Sequence, residues 1–456
     1  MQGAIARSLP RRINFDPSTF SPKMSSITEP EEAKCHTYDP QSQPPKFGRA
    51  MRKYFGFEQG YVNLNHGAYG SQPLPVAAEC AKISAEIEGC PDRFMRLTYQ
   101  ARLERSRLLV ANLIGAEVDE CVLVPNATHG LNTILRNFEW HEGDIIVGAT
   151  TTYGAIAKTI QYLCDIPPHP TMSTFSIQFP TTHAEIVANW KAHLSSIVAS
   201  AAAVSEKSKV VAVIDGIISV PGARLPWKEM IKVCREQGVW SVIDAAHMIG
   251  QEVDINLSEV QPDFWVSNCH KWLFAKRSCS VLYVPKRNQH IIKSSIPTSH
   301  EYVSPTCGNF VGQHEWTGTI DFVPYLSIPA ALEFRNWIGG EHKINEYCHQ
   351  LALSGGKRLA EILGTSVMDN EKGELTANMV NVGLPLDGVP ATLEVDGFLK
   401  AQLLLEWNCY AAHYVHGGKW WARCSAQVWS EMSDFEYLGK AFTEICKQAK
   451  EKFSKN

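Results

Sequence analysis

The segment Ser267-Asn268-Cys269-His270-Lys271-Trp272 puts a lysine directly after an apolar run that begins at Phe264. An unpaired ammonium is costly to bury. Burial lowers a lysine's pKa, and the neutral amine that results is what Schiff-base chemistry requires. Taken alone, a lysine snorkelling at a strand end explains the segment equally well. A second segment, Ile243-Asp244-Ala245-Ala246-His247, ends the preceding strand-like run. A carboxylate at a strand end can face a ring nitrogen and keep it protonated, although a lone strand-end Asp is more often a helix cap. An Asp and a Lys at the ends of neighbouring parallel strands are harder to explain without a cofactor.

A third segment, Pro125-Asn126-Ala127-Thr128-His129-Gly130, leads from a strand into a helix expected to begin near Thr128. Free amides and a hydroxyl at a helix N-terminus form a phosphate seat, a role compatible with Thr128 as a plain N-cap. Ser267 and His270 could add donors to the same phosphate. Tyr153 follows another strand-like run and is placed to stack on a planar ring, where a core tyrosine is the plainer reading. Two weaker motifs carry nothing. Ser354-Gly-Gly-Lys357 lacks the spacing of a phosphate loop, and His314 and Glu315 have no partner at metal-ligand spacing.

The elements that must position these residues alternate. Leu103, Val110, Leu113 and Ile114 share one face of a helix that Gly115 can end. Strand-like runs follow at Cys121 to Pro125, Asp144 to Thr150, Val210 to Asp215, Trp240 to Asp244 and Phe264 to Ser267. Helical stretches such as Ala155 to Leu163 and Trp227 to Glu236 separate most of them. Near-continuous apolar strands joined through helices predict an α/β fold with a mostly parallel sheet, buried on both faces. Ligands of such sheets bind beyond the carboxyl ends of the strands. After about residue 325 the pattern predicts helices at Ser327 to Trp337 and His342 to Leu363, then a strand at Met379 to Leu384. A helix near Thr392 to Glu406, strand-like material through Trp420 to Trp429 and a closing helix from Asp434 complete a smaller α+β unit. The expected division is a disordered leader at 1–45, a segment reaching the site at 46–73, a large domain at 74–325 and a small domain at 326–456.

Bulk properties narrow the function class. With 456 residues and 45% hydrophobic content, the chain has material for more than one core. A formal net charge of -4 gives no reason to expect nucleic acid or an anionic membrane as a partner. No apolar run approaches the roughly 18 residues of a membrane span. The 13 cysteines are odd in number and form no C-x-x-C pair, as expected of reduced thiols in the cytoplasm. Arg7, Arg11 and Arg12 among serines faintly suggest a mitochondrial transit peptide; a solvated tail is the plainer reading.

The run Asp244-Ala-Ala-His247 with Ser267-Asn-Cys-His-Lys271-Trp resembles the class V aminotransferase family of fold-type I pyridoxal-phosphate enzymes. That family includes cysteine desulfurases and isopenicillin N epimerase-like and cysteine desulfhydrase-like proteins. The similarity extends through Asn63-Leu-Asn-His-Gly67, Asn126-Ala-Thr128, Asp215 to Pro221, Pro297-Thr-Ser-His300, Gly318-Thr319-Ile-Asp321 and Ala422-Arg423-Cys-Ser425. The resemblance implies pyridoxal 5′-phosphate as cofactor, Lys271 as its Schiff-base lysine and Asp244 as partner of the pyridine nitrogen. It implies Ala127, Thr128, Ser267 and His270 around the phosphate, His247 beside the ring, Tyr153 stacked on it and Ser219 near its hydroxyl. Gly318 and Thr319 resemble the stretch that reaches the neighbouring subunit's phosphate, which implies a homodimer with shared sites. Arg423 matches the arginine that grips a substrate carboxylate, a role suited to its planar fork. His66 and His300 are further candidates for contact with the substrate.

Within the family the sequence resembles fungal members: hercynylcysteine sulfoxide lyase-like and loline-pathway Mannich cyclase-like proteins. In the sulfoxide lyases, the loop matching Tyr153-Gly-Ala-Ile156 carries a cysteine that takes part in the reaction. Here that position is Ile156, which is neither acid nor nucleophile. Cys269, beside Lys271, reads as packing. The resemblance favours a carbon–sulfur lyase acting on a cysteine-derived amino acid. Carbon–carbon bond formation, epimerisation and transamination stay open, as does a non-catalytic cofactor-binding protein.

Overall fold

The computed structural model describes residues 33–298, 302 and 309–454. Twelve strands run in chain order: β1 (Val62–Asn63), β2 (Cys121–Val124), β3 (Ile145–Ala149), β4 (Thr171–Phe175), β5 (Val210–Asp215), β6 (Trp240–Asp244), β7 (Phe264–Asn268), β8 (Ser280–Tyr283), β9 (Met379–Gly383), β10 (Cys409–Tyr410), β11 (Ala412–His416) and β12 (Lys419–Ser425). Seven form the central sheet in the order β2-β8-β7-β6-β5-β3-β4. All its pairings are parallel except those of β8, which runs against both β2 and β7.

Alternation along each strand covers both faces. Leu123, Val147, Ala212, Ile214, Ile243 and Trp265 enter one core, while Val122, Ile146, Val213, Val242 and Val266 enter another. Helices Ala127–Asn137 and Gly154–Asp165 cover the second face, the latter through Ile156, Ile160 and Leu163. A third core joins β9 and β12 to the long helices Gly340–Leu363 and Met432–Phe453 through Val380, Val382, Cys424, Leu359, Leu438 and Phe442.

Two short strands tie the chain's ends to the site. Val62 and Asn63 of β1 pair in parallel with Cys409 and Tyr410 of β10. This pairing carries Asn65 and His66 toward β12 and Lys271. The expected disordered leader is corrected over its described part. The Cys35 amide donates to the Lys53 carbonyl at 2.8 Å, Tyr38 stacks on Trp337 at 4.5 Å, and the Trp337 indole donates to the Ser42 carbonyl at 3.0 Å. Residues 1–32, with Arg7, Arg11 and Arg12, lie outside the described residues.

Other elements shift modestly. The helix expected over Thr392 to Glu406 is α-helical only over Leu393–Ala401 and continues as one π turn, Gln402–Glu406. The strand expected to reach Trp429 ends at Ser425, whose amide donates to the Leu64 carbonyl at 2.7 Å.

Candidate active site

Strands β2, β3, β5, β6 and β7 all run one way, so Asn126, Tyr153, Asp215, Asp244 and Lys271 gather at one edge of the sheet. The helix after β2 begins at Ala127, and its N-cap is Asn126, whose side chain accepts the His129 amide at 2.8 Å. Thr128 is therefore not the cap. The Ala127 amide donates to Asn268 Oδ1 at 2.9 Å, so it is committed within the chain. Thr128 keeps its amide and hydroxyl without a partner among the described residues, at the positive end of a helix.

Asn268 is the residue that sequence reasoning missed here. Its Oδ1 accepts both the Ala127 amide and the Ser280 hydroxyl, which leaves the Nδ2 hydrogens without a partner among the described residues. Ser267, the expected phosphate donor, is corrected. Successive strand residues point to opposite faces, and Ser267 is fully buried beneath the turn after β6. Its hydroxyl donates to the Ala245 carbonyl at 2.5 Å and accepts the Ile249 amide at 3.1 Å. It braces the turn that carries Asp244. Strand parity was the available signal. His270 holds the Cys279 carbonyl through Nδ1 at 2.8 Å, which leaves Nε2 facing outward.

Lys271 lies two residues beyond Cys269, half-buried, with Nζ 3.2 Å from His247 Nε2. Burial, reinforced by the Arg423 charge, brings its pKa down to about 7. Gly70 passes so close beneath it that a Cβ there would lie 1.8 Å from the His270 carbonyl oxygen, with φ at +68°. Only glycine fits that approach. His66 is enclosed by Trp272, Phe274 and Trp429, and its Nε2 donates to the Lys271 carbonyl at 2.8 Å. Burial lowers its pKa to about 3. His66 thus holds the lysine's backbone, which corrects the expectation that it contacts substrate.

Asp244 is buried at the end of β6, and one of its oxygens accepts the Ala246 amide at 3.1 Å. Burial pushes its carboxyl up, while that amide and the Lys271 charge pull it down. Asp215 is its register partner on β5, also buried, and its Oδ2 has no partner. Nothing in the local sequence assigns Asp215 a role of its own.

Arg423 projects from β12, 2% exposed, with Nη1 on the Ser219 carbonyl at 2.5 Å and Nη2 on Asn65 Oδ1 at 3.1 Å. Ser219 therefore meets the arginine through its backbone. Tyr153 follows β3 and keeps 47% of its surface open. Ile156 is fully buried against the sheet and supplies packing alone. Gly318 and Thr319 make no recorded contact with Lys271, and Thr319 is exposed. His300 lies outside the described residues. Among the described residues no cluster of His, Cys, Asp or Glu could hold a metal ion, and no helix is long and apolar enough to cross a membrane.

The model of the family described as Aminotransferase class-V matches residues 64–392. The chain belongs to that family. It is 34% identical to the L-cysteine desulfhydrase-like protein lolT1 of Epichloe uncinata, over 88% of this chain and 96% of that one. It is 29% identical to the hercynylcysteine sulfoxide lyase of Schizosaccharomyces pombe, over 88% and 98%. A lysine-to-alanine mutant of C-DES with glycine covalently linked to its PLP cofactor shares the fold, with a TM-score of 0.70 at 16% identity, over 87% of this chain and 98% of that one.

Members of this family are enzymes that depend on pyridoxal phosphate, and the cleft fits that group. The cofactor carries an anionic phosphate, an electrophilic aldehyde and a ring nitrogen that ionises. The chain offers unpartnered donors at Thr128, an amine of lowered pKa at Lys271 and a buried carboxyl at Asp244. The three stand at one sheet edge in an order that matches the ligand.

Proposed function

We propose that the protein is a carbon–sulfur lyase acting on a cysteine-derived amino acid, within a biosynthetic pathway. The observation that carries the reading is the convergence of Lys271, Asp244 and Arg423 from three separate strands on one cleft. Both curated relatives named above are described by carbon–sulfur chemistry, which supports the choice of bond.

Each side chain has a part to play in this reading. The Thr128 amide and hydroxyl, the Asn268 amide group and His270 would hold the phosphate. Asp244 would face the ring nitrogen, with Tyr153 across the ring. The Arg423 fork would bind the substrate carboxylate. Lys271, neutral near pH 7, would take the α-proton. When bound, pyridoxal phosphate supplies the electron sink for the pair that the broken C–H bond leaves behind. Departure of the sulfur substituent from Cβ with its bonding electrons would follow, and hydrolysis of the released product would give pyruvate and ammonia. A homodimer belongs to the reading too, with Gly318 and Thr319 completing the partner's site. The twelve free thiols of the described residues support a reducing cytosol as the place of work.

The test offers cysteine, cysteine conjugates and their sulfoxides, and measures pyruvate, ammonia and thiol together. Stoichiometric pyruvate is expected, with sulfide or thiol from the unoxidised substrates and sulfenic acid from the sulfoxides, and all should vanish, with the visible absorbance band, in Lys271→Ala. Absence of pyruvate from every cysteine derivative overturns the lyase reading. One observation favours a second reading: the buried Ile156 leaves that loop position without a reacting group, which suits carbon–carbon bond formation better than sulfoxide cleavage.

A further inference from the structure

Trp272 directly follows the lysine and is 1% exposed. Its indole nitrogen lies 3.4 Å from His247 Nδ1, and Lys271 Nζ lies 3.2 Å from the other ring nitrogen, Nε2. An indole N–H only donates. Nδ1 must therefore carry the lone pair, and in the neutral ring the proton is then on Nε2.

We propose that Trp272 is a positioning residue for Lys271: its indole N–H keeps the His247 proton on Nε2, which makes that atom a donor toward the lysine amine. An ammonium has no lone pair with which to accept such a bond, so the arrangement selects the neutral amine. The inference rests on Lys271 being the reacting amine of the proposed function.

The indole has little freedom to leave this position. A Cβ on Gly67 would touch Trp272 Cζ2 at 3.3 Å, and His66 packs edge-on to the ring at 5.2 Å. Behind it, Arg335 is fully buried and donates to the Trp272 carbonyl at 2.6 Å and to the Gly250 carbonyl at 3.2 Å. Glu341 holds the same guanidinium through both oxygens.

The charges around His247 point the same way. Lys271, Arg423 from β12, His270 from the lysine loop and His66 from the N-terminal segment all disfavour a second proton on the ring, after burial itself. Around Lys271, Arg423 opposes the ammonium and Asp244 from β6 favours it. His247 is thus a neutral ring whose only freedom is which nitrogen holds its one proton.

The test uses the cofactor-free protein, so that it reads the residues and not turnover. Nitrogen NMR of ¹⁵N-histidine-labelled wild type should show His247 protonated on Nε2; a proton on Nδ1 overturns the proposal. In Trp272→Phe both tautomers should appear. The midpoint for competitive acylation of Lys271 should then move to more alkaline pH, by about one unit, the usual spread of such values in folded proteins. An unchanged midpoint in a folded variant overturns the proposal. In a His247→Gln background, Trp272→Phe should move the Lys271 midpoint no further. An equal shift there would mean packing and overturn the proposal. If Trp272→Phe does not fold, the wild-type tautomer decides alone. A protein without carbon–sulfur lyase activity would still give these readings, so the two failures are distinguishable.

Discussion

Asp215 and Asp244 stand in register at the ends of β5 and β6, both buried; Asp244 accepts the Ala246 amide, while Asp215 leaves Oδ2 without a partner. Burial raises the Asp215 carboxyl well above its ordinary value, and the Asp244 charge beside it raises it further. Two carboxylates this close do not both ionise. Asp215, the one with an unpartnered oxygen, keeps the proton, and Asp244 is left as the anion the ring nitrogen needs.

A stability prediction follows from the sign of that shift. A raised folded pKa means that the folded state keeps a proton the unfolded chain has already lost. Asp215 therefore contributes stability that is fully present below its ordinary value of 3.8 and declines as pH rises. Asp215→Asn removes the titration. Thermal melts of the cofactor-free variant should fall less steeply than wild type between about pH 4 and 7. Parallel slopes would show Asp215 ionised in the fold.

The lysine makes a separate pH prediction. Its lowered pKa of about 7 leaves the amine largely neutral above that point. The rate at which cofactor-free protein captures pyridoxal phosphate should rise with pH up to about 7 and then level. A rate still climbing toward the ordinary lysine value would show an unperturbed ammonium.

Arg423 should separate substrate from cofactor. Arg423→Lys keeps a charge but loses the fork, and hydrogen bonds to charged groups are worth about 1.5–3 kcal/mol each. KM should rise by roughly tenfold to a hundredfold, while the visible cofactor band stays. Loss of the band would place Arg423 in cofactor binding.

Ser267 and Asn268 differ in what their loss should do. Ser267→Ala leaves the Ile249 amide unpaired and removes one of the two donors on the Ala245 carbonyl, at about 1–3 kcal/mol of stability, with cofactor affinity almost unchanged. Asn268→Ala should weaken cofactor affinity by a similar free energy, read by equilibrium dialysis. The reverse pattern would restore Ser267 as the phosphate donor.

These two neighbours also show what was legible in the sequence. Strands β5 and β6 are legible to their ends because their continuous apolar, β-branched residues stop at an acid. Strand β4 gives no such sign, since Thr171, Met172 and Thr174 are exposed on a sheet edge and carry no buried pattern. Asp244, Lys271 and Thr128 stand out as polar residues at element ends, and Arg423 as a charge within an apolar strand. Ser267 and Asn268 are both small, polar and adjacent, and composition cannot rank them. Which one faces the cleft depends on strand parity relative to the helix at Ala127. Asp215, Trp272 and His66 act through neighbours distant in sequence, so no local spacing marks them.

The bond between Arg423 and Asn65 spans 358 positions. Lys271 and its carboxylate partners are complete long before the last strand is made. A ribosome-bound chain halted after the central sheet would own the groups for capturing the cofactor and lack the grip on a substrate. Competence to grip a substrate therefore waits for β12, which comes in beside residues made 358 positions earlier.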